Sequence, residues 1–99
     1  MLSGKLFSMR INKVTFSSTC KDGSLVKEYI LNSPVTHQDL SRLTEIGEMV
    51  LKDLGGTELF TLSSDLLTMK GMIDDTVVYI THRKENGDEV ELLMNQIFG

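Results

Sequence analysis

The sequence predicts an α/β domain of the α+β type, in which an antiparallel sheet of five strands packs against one long central helix at about residues 36–54. Three observations lead to this prediction. A helical apolar period runs through the middle of the chain, alternating apolar residues precede and follow it, and turn-forming residues separate the segments. The predicted order is two strands, the helix, three strands and a short C-terminal helix, in a single domain over residues 1–99.

The composition is that of a globular protein. The 99 residues are 40% hydrophobic and 24% charged, which is enough apolar material for one core. No apolar run approaches the roughly 18 residues that a membrane span needs, so we expect no membrane segment. We expect no signal peptide either, because Ser, Gly and Lys interrupt the apolar residues between Leu2 and Met9. Cys20 is the single cysteine, which excludes an intramolecular disulfide and favours a cytoplasmic location.

Charge is unevenly distributed along the chain. The net charge is −4, with +4 in residues 1–21 and −8 in the remainder. An acidic body argues against nucleic-acid binding, although Lys5, Arg10 and Lys13 keep it as a remote alternative. The basic segment can instead form a solvated strand face or contact an acidic patch on another chain.

The first part of the chain predicts a β-hairpin. Apolar alternation over residues 6–17 changes phase near Asn12-Lys13, which implies either a bulge or a separate N-terminal piece followed by a strand. Asp22-Gly23 is typical of a tight turn, and residues 25–32 predict the second strand.

The central segment carries the signals of a helix from start to end. Thr36 precedes Asp39 by three residues, which is the spacing of an N-terminal cap. The apolar stripe contains Leu40, Leu43, Gly47, Val50, Leu51 and Leu54. Gly55-Gly56 is typical of a helix end. Gly47 is the anomaly, since glycine inside a helix costs about 1 kcal/mol relative to alanine unless another backbone approaches closely.

Three further strands are predicted after the helix, joined as an antiparallel meander by polar turns. They are residues 58–63, 66–72 and 76–83. The tail is ambiguous, because residues 90–98 suit either a helix or a strand, and Asn86-Gly87 could be a hairpin turn. We predict the helix because Asp88 can cap it and two glutamates follow in the first turn.

Groups that could support catalysis or hold a metal are sparse. His37 and His82 do not form an i, i+4 ligand pair, and the neighbours Asp74-Asp75 point apart in a turn. The serine pairs lack the G-x-S-x-G setting, and Gly55-Gly56 lacks the residues of a phosphate loop. We therefore predict a protein that is not an enzyme and has no cofactor or metal; a small hydrolase or a metal enzyme is the alternative.

Several strings resemble the roadblock (dynein light chain) family of the profilin-like class. They are Val14-Thr15-Phe16, Asp22-Gly23, residues 25–31, Leu54-Gly55, residues 58–72, residues 76–80 and Asn86-Gly87. The resemblance covers about residues 12–98. It implies a non-catalytic domain that dimerises through its long helix and the following strand, and that serves as a scaffold or regulator of small Ras-like GTPases or motor complexes.

This resemblance and the helix pattern together suggest an interface between two copies. The interface candidates are Ile46, Gly47, Met49, Leu59, Phe60 and Leu62. An exposed apolar strand edge must be covered, and pairing with a second copy is a simple way to cover it. The alternatives are a small acidic chaperone that holds an extended client segment, and a globular domain of unknown function.

Overall fold

The structure is a computed structural model that describes residues 10–98. Within this range the elements are β1 (Ile11–Thr19), β2 (Leu25–Leu31), α1 (His37–Leu43), β3 (Glu48–Asp53), β4 (Glu58–Ser63), β5 (Leu67–Met72), β6 (Val77–His82), a 3-10 turn (Lys84–Asn86) and α2 (Gly87–Phe98). The described strands form one antiparallel sheet in the order β1-β2-β6-β5-β4-β3.

The predicted fold class is wrong at the centre of the chain. Over residues 10–98 the sheet has six strands instead of five, and the long helix expected at about residues 36–54 is absent. Its first part is the short helix α1, and its second part is the strand β3. Leu54-Gly55, which resembles the helix end of the roadblock family, follows this strand.

Helix α1 begins as the sequence predicts but ends early. Thr36 and Asp39 form a complete capping box, in which each side chain accepts a hydrogen bond from the other residue's backbone N–H. After Leu43 the backbone tightens, because Glu45 and Ile46 each donate to the carbonyl three residues back. The chain therefore leaves the helix after two turns.

Gly47 explains why the chain turns at this point. A Cβ atom on Gly47 would collide with the backbone carbonyl of Ser63, the last residue of β4. Only glycine allows this close approach of two backbones. The anomaly in the apolar stripe was thus the sign of a break between helix and strand.

Gly55 and Gly56 form the loop of a hairpin and do not end a helix. Their φ angles are +73° and +102°, and Leu54 donates its N–H to the carbonyl of Thr57 across them. Positive φ at both loop residues is the requirement of a two-residue hairpin whose twist matches its strands. The hairpin places β3 beside β4.

At the two ends of the described chain the structure is closer to the predictions from the sequence than it is at the centre. The register of β1 against β2 shifts between Ile11 and Lys13, where a bulge was expected, and again between Phe16 and Ser18. The part of the predicted first strand before Arg10, and any separate N-terminal piece, lie outside the described residues. The C-terminal helix begins at Gly87, whose φ of −54° is helical, so Asn86-Gly87 is not a hairpin turn.

Both helices pack on one face of the sheet and close a single core within residues 10–98. The fully or nearly buried apolar side chains are Tyr29, Leu31, Val35, Leu40, Leu43, Phe60, Leu62, Leu67, Met69, Val78, Ile80, Val90, Met94, Ile97 and Phe98. On each strand these residues alternate with others that point to the opposite face. That opposite face and the two sheet edges are where surface function can lie.

Candidate functional site

Strand β3 is an edge strand that exposes apolar side chains. It lies last in the sheet order of the described residues, with β4 on its inner side. The side chains of Val50 and Leu51 are 62% and 47% exposed, although they point to opposite faces of the strand. An exposed apolar edge is a template for pairing with another strand.

The hairpin geometry shows which backbone groups of β3 face outward. Leu54 donates its N–H to Thr57, so Leu54 is a residue whose backbone groups point toward β4. These directions alternate along an antiparallel strand, and the pairing from Glu48 to Asp53 runs without a register shift. Met49, Leu51 and Asp53 therefore direct their N–H and C=O groups toward the outer edge, where no other strand of residues 10–98 pairs with β3.

The six interface candidates from the sequence divide between the core and the surroundings of β3. Phe60 and Leu62 are completely buried under the helices, so their side chains cannot reach a partner. Ile46 and Met49 are half-buried and pack against the core, Gly47 lies against Ser63, and Leu59 is half-buried on the face away from the helices. Of the six candidates, only Met49 belongs to the outer strand.

Sequence reasoning missed Val50 and Leu51 as surface residues. A helical period placed both in a buried stripe, whereas the strand exposes both. The usable signal was the seven-residue run between Gly47 and Gly55-Gly56, which leaves room for a strand of normal length bounded by glycines at both ends.

Strand β1 forms the other edge in the described part of the sheet, and it differs from β3. Val14 and Phe16 expose about half of their side-chain surface. Register shifts interrupt the pairing of β1 with β2 near both ends, after Ile11 and after Phe16. Bulges bend and twist an edge and so discourage further strand pairing. The regular edge is therefore β3.

A cross-strand pair marks the sheet face opposite the helices. Tyr79 of β6 lies opposite Glu28 of β2. A hydrogen bond to the Glu28 carboxylate, reinforced by its negative charge, raises the pKa of the Tyr79 hydroxyl. The phenol therefore stays neutral and acts as a hydrogen-bond donor.

Arg10 connects distant segments within the chain. Its guanidinium donates to the Asp39 carboxylate at 2.7 Å, to the Ser33 hydroxyl at 2.8 Å and to the Pro34 carbonyl at 2.7 Å. It also lies over the ring of Phe98, 5.4 Å from the ring centre. Arg10, which the sequence offered for a nucleic-acid or protein partner, is thus engaged internally.

The pKa of Asp39 reflects this arrangement. Burial alone raises the pKa of the carboxyl group, but hydrogen bonds from Arg10 and from the Thr36 backbone outweigh burial and lower it overall. Asp39 therefore remains ionised and holds the start of α1 against Arg10.

The histidines do not meet in a shared site. His37 contacts the Glu58 carboxylate at 2.7 Å on the surface, whereas the His82 side chain is buried and donates from Nδ1 to the Arg83 carbonyl at 2.7 Å. The Nε2 atom of His82 is buried without a hydrogen-bond partner in the described structure. Residues 10–98 contain no group of three His, Cys, Asp or Glu side chains that could hold a metal ion.

A cleft of about 320 Å³ lies at one end of the sheet. Its lining residues are Asp22, Gly23, Ser24, Arg83, Lys84 and Glu85. A shallower depression beside it continues toward Asp65. The lining is polar and carries both signs of charge, so it offers little of the apolar enclosure typical of small-molecule sites.

No helix in the described range is long and apolar enough to cross a membrane. Comparisons with protein families, with curated proteins and with solved structures found no match to this chain.

Proposed function

We propose that this chain is a non-catalytic protein-interaction module that adds a strand of another polypeptide to the free edge of β3. The observation that carries the proposal is the combination at β3 of an uninterrupted edge, outward-facing backbone groups and exposed Val50 and Leu51. Main-chain hydrogen bonds supply affinity in such strand addition, and alternate side chains supply specificity.

The first test compares two lysine substitutions at equally exposed apolar positions. Val50 and Leu92 are 62% and 66% exposed, but Val50 lies on the β3 edge and Leu92 lies on the outer side of α2. Proteins that bind the native tagged chain in extracts of its source cells should be lost with Val50→Lys and retained with Leu92→Lys, because charge on an edge blocks strand addition. Equal binding by both variants would contradict the proposal.

The resemblance to the roadblock family adds a partner class to this proposal, a small Ras-like GTPase or a motor complex. It is carried by strings outside α1 and β3, among them Asp22-Gly23 and residues 58–72. The test is capture of purified Ras-like GTPases by the immobilised chain, in the GTP-bound and the GDP-bound state. Binding that depends on the nucleotide and is weakened by Val50→Lys supports a regulator; the absence of nucleotide dependence contradicts it.

A second candidate function is that of a small acidic chaperone holding an extended client segment. The exposed side chains of Val14 and Phe16 on β1 favour it, because they form an apolar surface beside a second strand edge. Phe16→Ser should then abolish protection of an aggregating client while Val50→Lys leaves it intact. The reverse pattern would favour the β3 module.

We place the module in the cytoplasm. The support is Cys20, a free and exposed thiol in a chain with no second cysteine, which suits a reducing compartment. Cell fractionation tests this assignment, and recovery in an oxidising compartment would contradict it.

A further inference from the structure

We infer that the strand added to β3 is β3 of a second copy of this chain, paired antiparallel about a two-fold axis at Val50. In this register Glu48 of each copy lies opposite Lys52 of the other. The inference rests on the proposed function, because it names the occupant of the same edge.

Backbone directions restrict the possible registers. Only alternate residues of β3, Met49, Leu51 and Asp53, direct hydrogen-bonding groups outward, so each residue of this set that pairs must oppose a residue of the second copy that also points outward. Side-chain directions lead to the same set of registers. Residues that lie opposite each other in paired strands point to the same face of the sheet, so a residue on the helix-bearing face must oppose another on that face. The axis of a symmetric pair must therefore pass through a residue and cannot pass between two residues.

Charge selects among the three central positions for the axis. With the axis at Val50, both copies pair Glu48 with Lys52, and Met49 meets Leu51 on the helix-bearing face. An axis at Met49 would place Glu48 opposite Val50. An axis at Leu51 would place Lys52 opposite Val50. Only the first arrangement matches opposite charges with each other and apolar side chains with each other.

This pairing covers the apolar surface that a single copy leaves exposed. Val50 meets Val50 at the axis, and Leu51 meets Met49 of the second copy on either side. The two six-stranded sheets become one continuous sheet with β1 at each outer end. The assembly is closed, because the same edge is used twice and the bulges of β1 discourage further addition.

A charge-swap series tests the register. Glu48→Lys and Lys52→Glu alone should each weaken dimerisation roughly tenfold in sedimentation equilibrium, because each replaces two attractive pairs by two repulsive ones. The double variant should return to within about threefold of the wild type, since both pairs are restored with reversed sign. Lys70→Glu, an exposed residue of β5 away from the edge, is the matched control and should leave the dimer unchanged.

A cysteine scan in a Cys20→Ser background determines directly which residue lies at the two-fold axis. At Val50 the two Cα atoms should lie about 4.5 Å apart, as in a pair without mutual hydrogen bonds, so Val50→Cys should form a disulfide-linked dimer under mild oxidation. Leu51→Cys should not form a disulfide-linked dimer, because the Cα atoms of residue 51 in the two copies lie farther apart than the roughly 7 Å that a disulfide can span. Cross-linking at position 49 or 51 in place of 50 would overturn the register.

The outcomes separate this inference from the proposed function. A wild type that stays monomeric at high micromolar concentration, or a double charge swap that fails to restore the dimer, overturns the inference. A chain that stays monomeric, and whose binding of another protein is lost with Val50→Lys and kept with Leu92→Lys, supports the proposed function while the inference fails. A chain that adds neither a second copy nor another polypeptide at β3 overturns both. A dimer that passes the charge swap and the cysteine scan supports the inference and makes the second copy the occupant of this edge.

Discussion

Arg10 and Asp39 lie far apart in the sequence, but they join the start of β1 to the first turn of α1. Their side chains meet at 2.7 Å and are largely buried. A charged hydrogen bond of this kind holds elements in place because separating it would leave an unpaired charge in a poorly solvated position. This contact positions α1 next to β1 and the end of α2.

Replacing Asp39 by asparagine tests the contact. Asp39→Asn keeps the shape of the side chain but leaves the Arg10 guanidinium without its counter-charge. We expect the free energy of unfolding to fall by about 2 kcal/mol in urea titrations at neutral pH. Asp65→Asn, at an exposed turn carboxylate, should change it by less than about 0.5 kcal/mol. Equal effects of the two changes would contradict this account.

The lowered pKa of Asp39 also predicts how stability depends on pH. Its folded-state pKa lies below the ordinary value of 3.8, so the stabilisation is complete above that value and is lost as the pH falls through the folded pKa. Unfolding measured from neutral pH down to about pH 2 should show a steeper loss below about pH 4 in the wild type than in Asp39→Asn. Parallel profiles would exclude this role.

Gly47 and Gly87 offer a matched pair of alanine substitutions. A Cβ atom at Gly47 collides with the Ser63 backbone, whereas one at Gly87 has only the His82 ring as a neighbour, at 3.8 Å. We expect Gly47→Ala to lower the free energy of unfolding by more than about 2 kcal/mol and Gly87→Ala to leave it equal or slightly higher. If position 47 lay inside a long helix, Gly47→Ala would stabilise the protein instead.

At the scale of elements, the segment from residue 36 to 56 contains two structures with one apolar pattern. The residues of β3 continue the helical period of α1, but the backbone turns between them at Gly47. A run of six residues is too short for period alone to separate helix from strand. Gly55-Gly56 is compatible with either a helix end or a hairpin loop. The pairing of β3 with β4 makes it a hairpin loop.

Substitution of the closing glycines distinguishes the two structures. Both glycines have positive φ, so Ala-Ala at positions 55 and 56 should cost about 2 kcal/mol of unfolding free energy, whereas Asn-Gly should be tolerated as a hairpin loop of the same type. Urea unfolding measures the cost, and far-ultraviolet circular dichroism monitors helix content. A gain in helix content with Ala-Ala would indicate a helix end.

At the scale of the whole molecule, hydrogen exchange of the native chain should reveal the assembly. The amides of Met49 and Leu51 face the outer edge and oppose each other in the proposed dimer, whereas those of Val50 and Lys52 pair with β4. Diluting the dimer should therefore speed exchange at Met49 and Leu51 and leave Val50 and Lys52 protected. A change with dilution at all four positions would indicate opening of the hairpin itself.

The sequence by itself determined the elements whose signals are local. The cap at Thr36 and the turn at Asp22-Gly23 are set by side chains within a few residues of each other, whereas the pattern after Asn86 favoured a helix but suited a strand as well. It also determined which residues are apolar enough to form a core. These properties depend on short-range geometry and on solvation, so a residue and its neighbours in the sequence are enough to determine them.

Only the tertiary structure decided that residues 48–53 form an edge strand, and with it the location of the candidate interface. Apolar residues at these positions could have packed as a helix on the sheet, but pairing with β4 satisfies their backbone groups on one side and leaves the other side open. Burial depends on which distant segments meet. The contacts between distant segments therefore leave Phe60 and Leu62 in the core, and Val50 and Leu51 at the surface.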